Sequence, residues 1–345
     1  MLRQLQKLLK PSWRSKVKVK KEVFGEYNGR DVQKYTLVNS NGIEISCIEY
    51  GCRITKIMTP DAEGNFANIV LGHERLDFYI VDKYYLGAIC GRTAGRIKNA
   101  KFTLDGQGYN LTKNNDNNNL HGGMAGFSSR CFNSSVTANG DGATVVFSYV
   151  SEDGEEGYPG KLNLEVRYTL TEDDELIMEY FANTDKTTIV NITNHSYFNL
   201  SGDSEGTIFD HKLQIDSDEY FELGTDFCPT GKLLTLQAHP FNFKEGKLIK
   251  EVFRRIPSGV DHPFLLNGDI VLSHEKSGRS MRIETDQNAV VVYTGNMMLA
   301  PKTNTAICLE TQAPPDAINH EEFASIVLKP KETYSATTKI CFVID

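Results

Sequence analysis

The sequence LNLEVRYTLTEDDELIMEYFAN, residues 162–183, alternates apolar and polar side chains with a period of two in its first nine and its last nine residues. This alternation is the pattern of a β-strand that buries one face. The acidic tetrapeptide TEDD at 171–174 separates the two halves and is rich in turn-forming residues. The stretch therefore predicts a β-hairpin made of two long strands.

Short apolar or alternating runs of the same kind recur along the chain between turn residues, which is typical of an antiparallel β protein. Only KLIKEVFRRI, residues 247–256, predicts a helix, because its apolar residues share one helical face. Strands this numerous are most readily accommodated in two packed sheets. The sequence predicts an all-β fold, a large antiparallel β-sandwich with few short helices. The main runs are EISCIEY (44–50), ATVVFSYV (143–150), AVVVYTGN (289–296), TAICLETQ (305–312) and KICFVI (339–344).

The N-terminal segment differs from the rest of the chain in charge. Residues 1–21 contain eight Lys or Arg and no acid. We expect them to form a flexible basic arm, although the helically spaced leucines are also a feature of mitochondrial presequences. No linker rich in Gly, Ser or Pro divides the remainder, so residues 22–345 are expected to form a single β-sandwich domain.

The body of the protein is acidic. Of 37 basic and 45 acidic residues, 29 basic and all 45 acidic residues fall in 22–345, which gives that segment a net charge of −16. Nucleic-acid affinity depends on neutralisation of phosphates by Lys and Arg, so we expect no nucleic-acid partner. No apolar run approaches the ~20 residues of a membrane helix, so no membrane partner is expected either.

The cysteines favour a reducing compartment. There are seven, they are scattered, and none forms a CxxC pair. Three N-glycosylation sequons, at Asn191, Asn194 and Asn199, also crowd one strand-like segment where glycans could not be packed. We therefore expect a cytoplasmic protein, which acts as a monomer or a weak homodimer.

Several polar segments interrupt the strand pattern and supply the chemistry-bearing side chains. One of them, TNHSYFNLSG at 193–202, combines two Asn and a His with a buried-strand composition, and buried polar groups are costly unless they are hydrogen-bonded. Taken singly, each segment could be structural, since most His and Arg side chains are. Together they offer Arg, two His, Asp and Glu among small residues and aromatic rings, which suits a sugar pocket with an acid and a base. The other segments are GRTAGRI (91–97), NLHGG (119–123), GVDHPF (259–264) and CLETQAPPDAINH (308–320).

Nucleotide and zinc motifs are missing from the sequence. There is no GxGxxG after a strand, no Walker loop, no HExxH and no GxSxG. The His residues lie in sequence contexts too different to suggest a ligand set, so we expect no metal.

The polar segments, in this order, resemble those of the galactose mutarotase (aldose 1-epimerase) family. The resemblance extends from about Tyr27 to the C-terminus. It implies a β-sandwich that interconverts the α and β anomers of free aldohexoses without a metal or an organic cofactor. The matching motifs are GRxAxRI, LHGG, GEEGYPG, TNHSYFNL, Gly-x-Asp-His, YTGN and LETQxxPDAxN.

The resemblance also implies a role for individual residues. Arg96, His121 and Asp261 would bind the sugar, while His195 and Glu310 would transfer protons. These residue types suit the chemistry, because opening a hemiacetal ring requires a base at the C1 hydroxyl and an acid at the ring oxygen. We assign the base to Glu310 and the acid to His195.

Two positions depart from the family pattern. Gly95 stands where the family often has Asn before the second Arg, and Val291 stands where it often has Gln before YTGN. Both changes remove an amide that could contact the sugar. The proton-transfer pair is unaffected, so these departures bear on which hexose is preferred and not on the reaction.

The sequence is compatible with three alternative functions. A sugar-binding sensor without catalysis would not need a matched acid and base. A hexose-6-phosphate epimerase should offer additional Arg or Lys to the phosphate, for which Arg92 and Arg96 are the main candidates. A glycosidase would require two carboxylates across the scissile bond, and Asp261 and Glu310 would have to serve.

Overall fold

The computed structural model describes residues 17–138, 141–202, 206–298 and 303–344. Within these ranges strands predominate. In chain order they are β1 Lys18–Tyr27, β2 Arg30–Val38, β3 Glu44–Ile48, β4 Arg53–Pro60, β5 Phe66–Asn68, β6 Ile89–Cys90, β7 Arg96–Ile97, β8 Lys101–Leu104, β9 Gln107–Asn110, β10 Asn119–Leu120, β11 Asn133–Ala138, β12 Gly142–Ser151, β13 Leu162–Thr171, β14 Glu175–Thr184, β15 Thr188–Ile189, β16 Thr193–Asn194, β17 Tyr197–Phe198, β18 Lys212–Ile215, β19 Glu219–Leu223, β20 Pro229–Thr235, β21 Lys247–Leu248, β22 Asp261–Leu265, β23 Ile270–His274, β24 Arg279–Thr285, β25 Ala289–Tyr293, β26 Ile307–Gln312, β27 Val327–Leu328 and β28 Tyr334–Ile344.

The hairpin predicted from residues 162–183 is confirmed and lies inside the largest sheet. Strands β13 and β14 pair in antiparallel register from Leu162 opposite Thr184 to Leu170 opposite Leu176. Their buried residues alternate with partly exposed ones, as the period of two requires. The sheet has nine strands in the order β11-β12-β13-β14-β28-β24-β23-β18-β21.

A second large sheet packs against the first. It has six strands in the order β17-β26-β25-β22-β19-β20. Val166 and Ile283 of the nine-stranded sheet share one apolar core with Phe264, Val290 and Ile307 of the six-stranded sheet. The predicted all-β sandwich is therefore confirmed, and its core lies between the two sheets.

Helices are few and short. The predicted helix in 247–256 is confirmed as α2, Ile249–Arg255, which buries Ile249 and Val252. The sequence pattern did not predict the five-residue helix α1, Leu76–Ile80. None of the helices among the described residues is long and apolar enough to cross a membrane. The described ranges also contain five single-turn 3₁₀ helices, at Lys98–Ala100, Phe127–Ser129, Glu155–Gly157, Ile208–Asp210 and Ala317–Asn319.

The N-terminal boundary needs a correction. Residues 1–21 are predicted to be a flexible arm, yet β1 begins at Lys18 and pairs with β2 at the edge of a five-stranded sheet, β1-β2-β3-β4-β5. Val17 is buried in the main core. The boundary at residue 21 thus falls inside a strand, because backbone pairing overrides the basic composition of Lys18–Lys21. Residues 1–16 lie outside the described residues.

The packing of Val17 and β1 predicts a stability difference between two shortened chains. A chain that begins at Glu22 should have a lower free energy of unfolding than one that begins at Val17. The expected loss is about 2 kcal/mol or more, because burial of one Val side chain contributes ~1.5–3 kcal/mol and four strand pairs are also lost. Urea unfolding measures both chains.

The matched control is Lys20→Ala in the chain that begins at Val17, since the Lys20 side chain is 69% exposed and should be nearly neutral. Equal unfolding free energies for the two shortened chains would contradict the assignment of residues 17–21 to the folded body.

Candidate active site

The six-stranded sheet has an apolar face and a pocket face. Along β25 and β26, Val290, Val292 and Leu309 belong to the main core, whereas Val291 and Glu310 line a cavity on the opposite face. Successive strand residues point to opposite faces, so this division follows from the pleat. The cavity has a volume of about 240 Å³, which is below the ~300–1,000 Å³ of sites for drug-sized ligands and suits a smaller one.

All five residues singled out from the sequence line this one cavity. They come from five separate segments of the chain, and β22 and β26 carry the two acids while loops carry the two histidines. The five residues are Arg96, His121, His195, Asp261 and Glu310.

Asn194 and Asn199 hold the segment that carries His195. The Asn194 amide donates to the Gly87 carbonyl (3.0 Å), and its oxygen accepts from the Ser196 N–H (3.0 Å). The Asn199 amide donates to the carbonyl of Thr305 (2.7 Å), just before β26. Both side chains replace backbone pairing where the strand is interrupted. Neither lines the cavity, and both fix the loop around it.

His195 and Glu310 form the closest acid–base pair in the cavity. The His195 Nε2 lies 3.5 Å from Glu310 Oε1, and both side chains are buried. Burial lowers the pKa of His195 to about 4. Burial, reinforced by the neighbouring Asp261 carboxylate, raises the pKa of Glu310 well above its ordinary value. The pair therefore resists charge separation in the free protein.

His121 is held as a neutral donor. Its Nδ1 accepts a hydrogen bond from the Gly95 N–H at 3.2 Å, so the ring proton is on Nε2. Burial, with a contribution from His195 and Arg96, lowers the pKa of His121 well below its ordinary value. The ring is edge-on to that of His195, with centroids 5.3 Å apart. His121 can therefore donate to an oxygen between them.

Arg96 and Asp261 complete the polar lining. The Arg96 Nε donates to Asn115 Oδ1 at 2.9 Å, and its guanidinium lies over the Phe227 ring, 5.1 Å from the centroid. Burial raises the pKa of Asp261, while Arg96 opposes that shift. Arg96 thus faces two carboxylates, since it also opposes the rise in the pKa of Glu310.

Arg92 has a structural position outside the cavity. Its guanidinium is buried and donates to the carbonyls of Pro159 (2.8 Å) and Gly160 (2.9 Å) and to Ser151 Oγ (2.7 Å). Desolvation lowers its pKa to about 10. Of the two arginines in GRTAGRI, only Arg96 is available to a ligand.

Tyr85 is a pocket residue that the sequence patterns do not predict. Its ring lies 4.7 Å from the ring of His121 and 5.9 Å from that of His195. A buried ion pair holds its loop: Arg53 Nη1 donates to Asp82 Oδ2 at 2.8 Å, and Asp82 accepts from the N–H of Leu86 at 2.8 Å. The aromatic pair in KYYLG was the available signal. Other missed lining residues are Lys83, Tyr84, Asn115, Leu223, Phe227 and Met297.

The two departures from the family pattern lie at different parts of the cavity. Gly95 has φ +70°, and a Cβ there would meet Pro315 at 2.7 Å, so a larger residue would displace that ring. Val291 is opposite Glu310 in the antiparallel pair of β25 and β26. An amide at position 291 would therefore lie beside the proposed base.

His121, His195 and Glu310 could also hold a metal ion. One ligand atom from each lies within 4.8 Å of the others, and no second group of three such ligands occurs among the described residues. The different sequence contexts of the histidines predict no metal-ligand set. That reasoning is wrong, because the fold brings two of them together with a carboxylate. Two imidazoles and a carboxylate suit a first-row divalent ion, although the same set serves as a proton-transfer site.

Comparison with known proteins agrees with this geometry. The family model for aldose 1-epimerase matches residues 33–341. The chain is 38% identical to the galactose mutarotase of Bos taurus over 349 residues, which cover 95% of this chain and 99% of that protein. It is 32% identical to the aldose 1-epimerase of Escherichia coli K12, over 92% of this chain and 97% of that protein.

Solved structures show the same similarity. The galactose 1-epimerase from Lactobacillus acidophilus superimposes with a TM-score of 0.85 at 26% identity and covers 95% of this chain and 99% of that chain. An aldose epimerase homologue from C. elegans gives a TM-score of 0.83 at 28% identity, over 88% of this chain and 97% of that chain. The protein belongs to the aldose 1-epimerase family.

Proposed function

We propose that this protein is an aldose 1-epimerase that interconverts the α and β anomers of free hexoses such as galactose and glucose. The observation that carries the proposal is the buried pair of Glu310 and His195, 3.5 Å apart in a cavity of monosaccharide scale. The family membership and the names of its relatives support the same activity. An acid and a base suffice for the reaction, so the proposal includes no metal and no cofactor.

In the reactive complex Glu310 is ionised and His195 carries the proton. Glu310 takes the proton of the C1 hydroxyl while His195 Nε2–H protonates the ring oxygen, and the C1–O5 bond breaks to give the open-chain aldehyde. Rotation about the C1–C2 bond then presents the other carbonyl face. His195 recovers the proton from the C5 hydroxyl, that oxygen attacks C1, and Glu310 returns its proton to the C1 oxygen. No covalent intermediate forms.

A single proton is shared by the pair throughout. In the free site it is on Glu310, because burial raises the pKa of that carboxyl and lowers the pKa of His195. The reactive form has the same proton count with the proton on His195. The two forms belong to one macroscopic protonation state, so the pair titrates as a unit.

The remaining polar groups bind and polarise the sugar. His121 Nε2–H is free to donate, because Nδ1 is occupied by the Gly95 N–H. A neutral imidazole donor stabilises negative charge that develops on an oxygen without supplying a competing acid. Arg96 and Asp261 offer a donor and an acceptor on the cavity wall to other hydroxyls.

The alternative activity on hexose 6-phosphates is less well supported. Arg92 cannot reach a phosphate because its guanidinium is committed to backbone carbonyls outside the cavity. The cavity is lined by two cations, Lys83 and Arg96, and by two carboxylates, Asp261 and Glu310. Two acids in one small cavity disfavour a phosphate dianion. A sensor function does not explain why Glu310 faces His195.

We further propose that the catalytic unit is a single β-sandwich domain that includes residues 17–21. One apolar core joins all three large sheets, which supports the single unit.

The unit acts in the cytoplasm on a small-molecule sugar, as a monomer or a weak homodimer. Light scattering across a concentration series tests the assembly.

Replacing Glu310 tests the proposed base. Glu310→Gln keeps the size of the side chain but removes its basicity, so kcat should fall by ~10² or more, the scale of general-base catalysis. Polarimetry of fresh α-galactose measures turnover, and calorimetry measures sugar affinity, which should change much less.

His195→Asn should lower kcat similarly, and the loss of kcat in the double variant should be far from the sum of the two single losses because the two groups act as a unit.

Glu284→Gln is the matched control, since Glu284 pairs with Lys339 on the nine-stranded sheet, away from the cavity. It should turn over normally. A folded, sugar-binding Glu310→Gln protein with near wild-type kcat would rule out the proposed mechanism.

Val291→Gln should alter the choice between hexoses. An amide there would enter the cavity beside Glu310, and one hydrogen bond to a substrate hydroxyl changes discrimination by ~1–3 kcal/mol. The galactose-to-glucose ratio of kcat/KM should therefore change at least several-fold. Val291→Thr, which keeps the shape without the amide, is the control. A ratio equal to wild type in Val291→Gln would show that this position does not contact the sugar.

The pH dependence should show an unusually low acid limb. A second proton on the pair leaves no base, and it binds His195, whose pKa burial lowers to about 4. Hence kcat/KM should stay level from pH 7 down to about 5 and then fall about tenfold per pH unit below 4. Anomer-specific oxidase assays, corrected for spontaneous mutarotation, give the profile, and circular dichroism verifies folding. An acid limb centred near 6.5 would contradict the buried-pair assignment.

A further inference from the structure

Two side chains of strand β26 lie beside the two ring nitrogens of His195. Cys308 and Glu310 are two residues apart on β26, so their side chains leave the same face of the sheet. The Cys308 Sγ lies 3.5 Å from His195 Nδ1, and Glu310 Oε1 lies 3.5 Å from His195 Nε2. The imidazole therefore lies between a thiol and a carboxyl on one strand.

The proton shared with Glu310 decides which nitrogen of the neutral ring carries a hydrogen. Glu310 Oε1 faces Nε2 at 3.5 Å, and in the free site that carboxyl holds the shared proton, because burial raises its pKa. A protonated carboxyl donates to Nε2, so Nε2 is the acceptor and the neutral ring carries its proton on Nδ1. Nε2 is then the nitrogen that gains and loses a proton opposite Glu310, as the reaction requires.

The thiol itself is an uncharged acceptor. Cys308 is fully buried, and burial together with the nearby Glu310 raises the pKa of its thiol well above the ordinary value. Its sulfur is thus neutral, and opposite a protonated Nδ1 it acts as a weak hydrogen-bond acceptor. The ring of Tyr197 stacks on the imidazole with centroids 5.0 Å apart, which restricts rotation of the ring away from Cys308.

We propose that Cys308 is a positioning residue for the proposed epimerase reaction: its sulfur accepts the Nδ1–H of His195 and directs Nε2 toward Glu310 and the sugar ring oxygen. The inference rests on the proposed function. A carboxylate in this position, as in serine protease triads, would hold the same tautomer but would also stabilise the imidazolium. A neutral sulfur orients the ring without that stabilisation, so the imidazolium stays acidic enough to protonate an ether oxygen.

The experiment compares three substitutions at position 308. Cys308→Ala removes the acceptor and should lower kcat about five- to tenfold, the scale of one hydrogen bond, with little change in KM. Cys308→Ser keeps an acceptor and should restore most of the loss. Cys308→Asp introduces a negative charge beside the imidazole, which should raise the pKa of His195. In the folded Cys308→Asp protein the acid limb of kcat/KM should therefore move from about pH 4 toward neutral pH.

Nitrogen-15 NMR of the His195 ring gives a readout that needs no turnover. In the sugar-free wild-type protein the neutral ring should be in the Nδ1–H form, and Cys308→Ala should convert it into a mixture of tautomers. This measurement separates failure of the inference from failure of the proposed function, because it is independent of whether hexose anomers interconvert.

Cys90→Ala is the matched control. Cys90 is also a fully buried cysteine, and it is opposite Thr193 in the strand pair that precedes His195, but the thiol 3.5 Å from His195 Nδ1 is that of Cys308. Its loss should affect stability without changing the tautomer or the pH profile. If Cys308→Ala keeps the wild-type tautomer, kcat and pH profile, or if Cys90→Ala changes them equally, Cys308 has only a packing role and the inference is overturned.

Discussion

The alternation of side chains along β26 is the constraint on which the rest of the site depends. Leu309 belongs to the main core, whereas on the opposite face Glu310 lines the cavity and Cys308 contacts His195. A shift of one residue in strand register would bury the carboxylate among apolar side chains and expose the leucine, which is costly on both counts. Packing of the sandwich core therefore also fixes the catalytic geometry. Stability and function are coupled through one strand.

Buried polar groups outside the cavity supply the second level of organisation. Arg92 ties loops together through carbonyls, Asn194 and Asn199 hold the His195 segment, and the Arg53–Asp82 pair holds the loop of Tyr85. Breaking a buried ion pair by removing one partner typically costs ~3–5 kcal/mol. These groups make the loops rigid before a ligand arrives, which is the condition for precise proton transfer.

The sequence predicted those features that local patterns encode. The hairpin at 162–183 and helix α2 follow from periodicity within a short window, and the five site residues follow from motifs that resemble a family. Tyr85, Phe227 and Asn115 were missed because they reach the cavity only through long-range packing. The same limit explains two further errors: basic composition concealed the start of β1, and different sequence contexts concealed that two histidines and Glu310 come close enough to form a possible ligand set.

The proton held in common by Glu310 and His195 has a consequence for how open the site must be. Many acid–base enzymes end a turnover with the acid and base exchanged and must re-equilibrate with solvent before the next. In the proposed cycle ring closure undoes the transfer made by ring opening, so the protein leaves each turnover already reset. No water channel or buffer molecule is required to restore the protonation states of Glu310 and His195. The cavity can stay desolvated apart from the passage of the sugar itself, which allows its carboxylate and imidazole to be as deeply buried as they are.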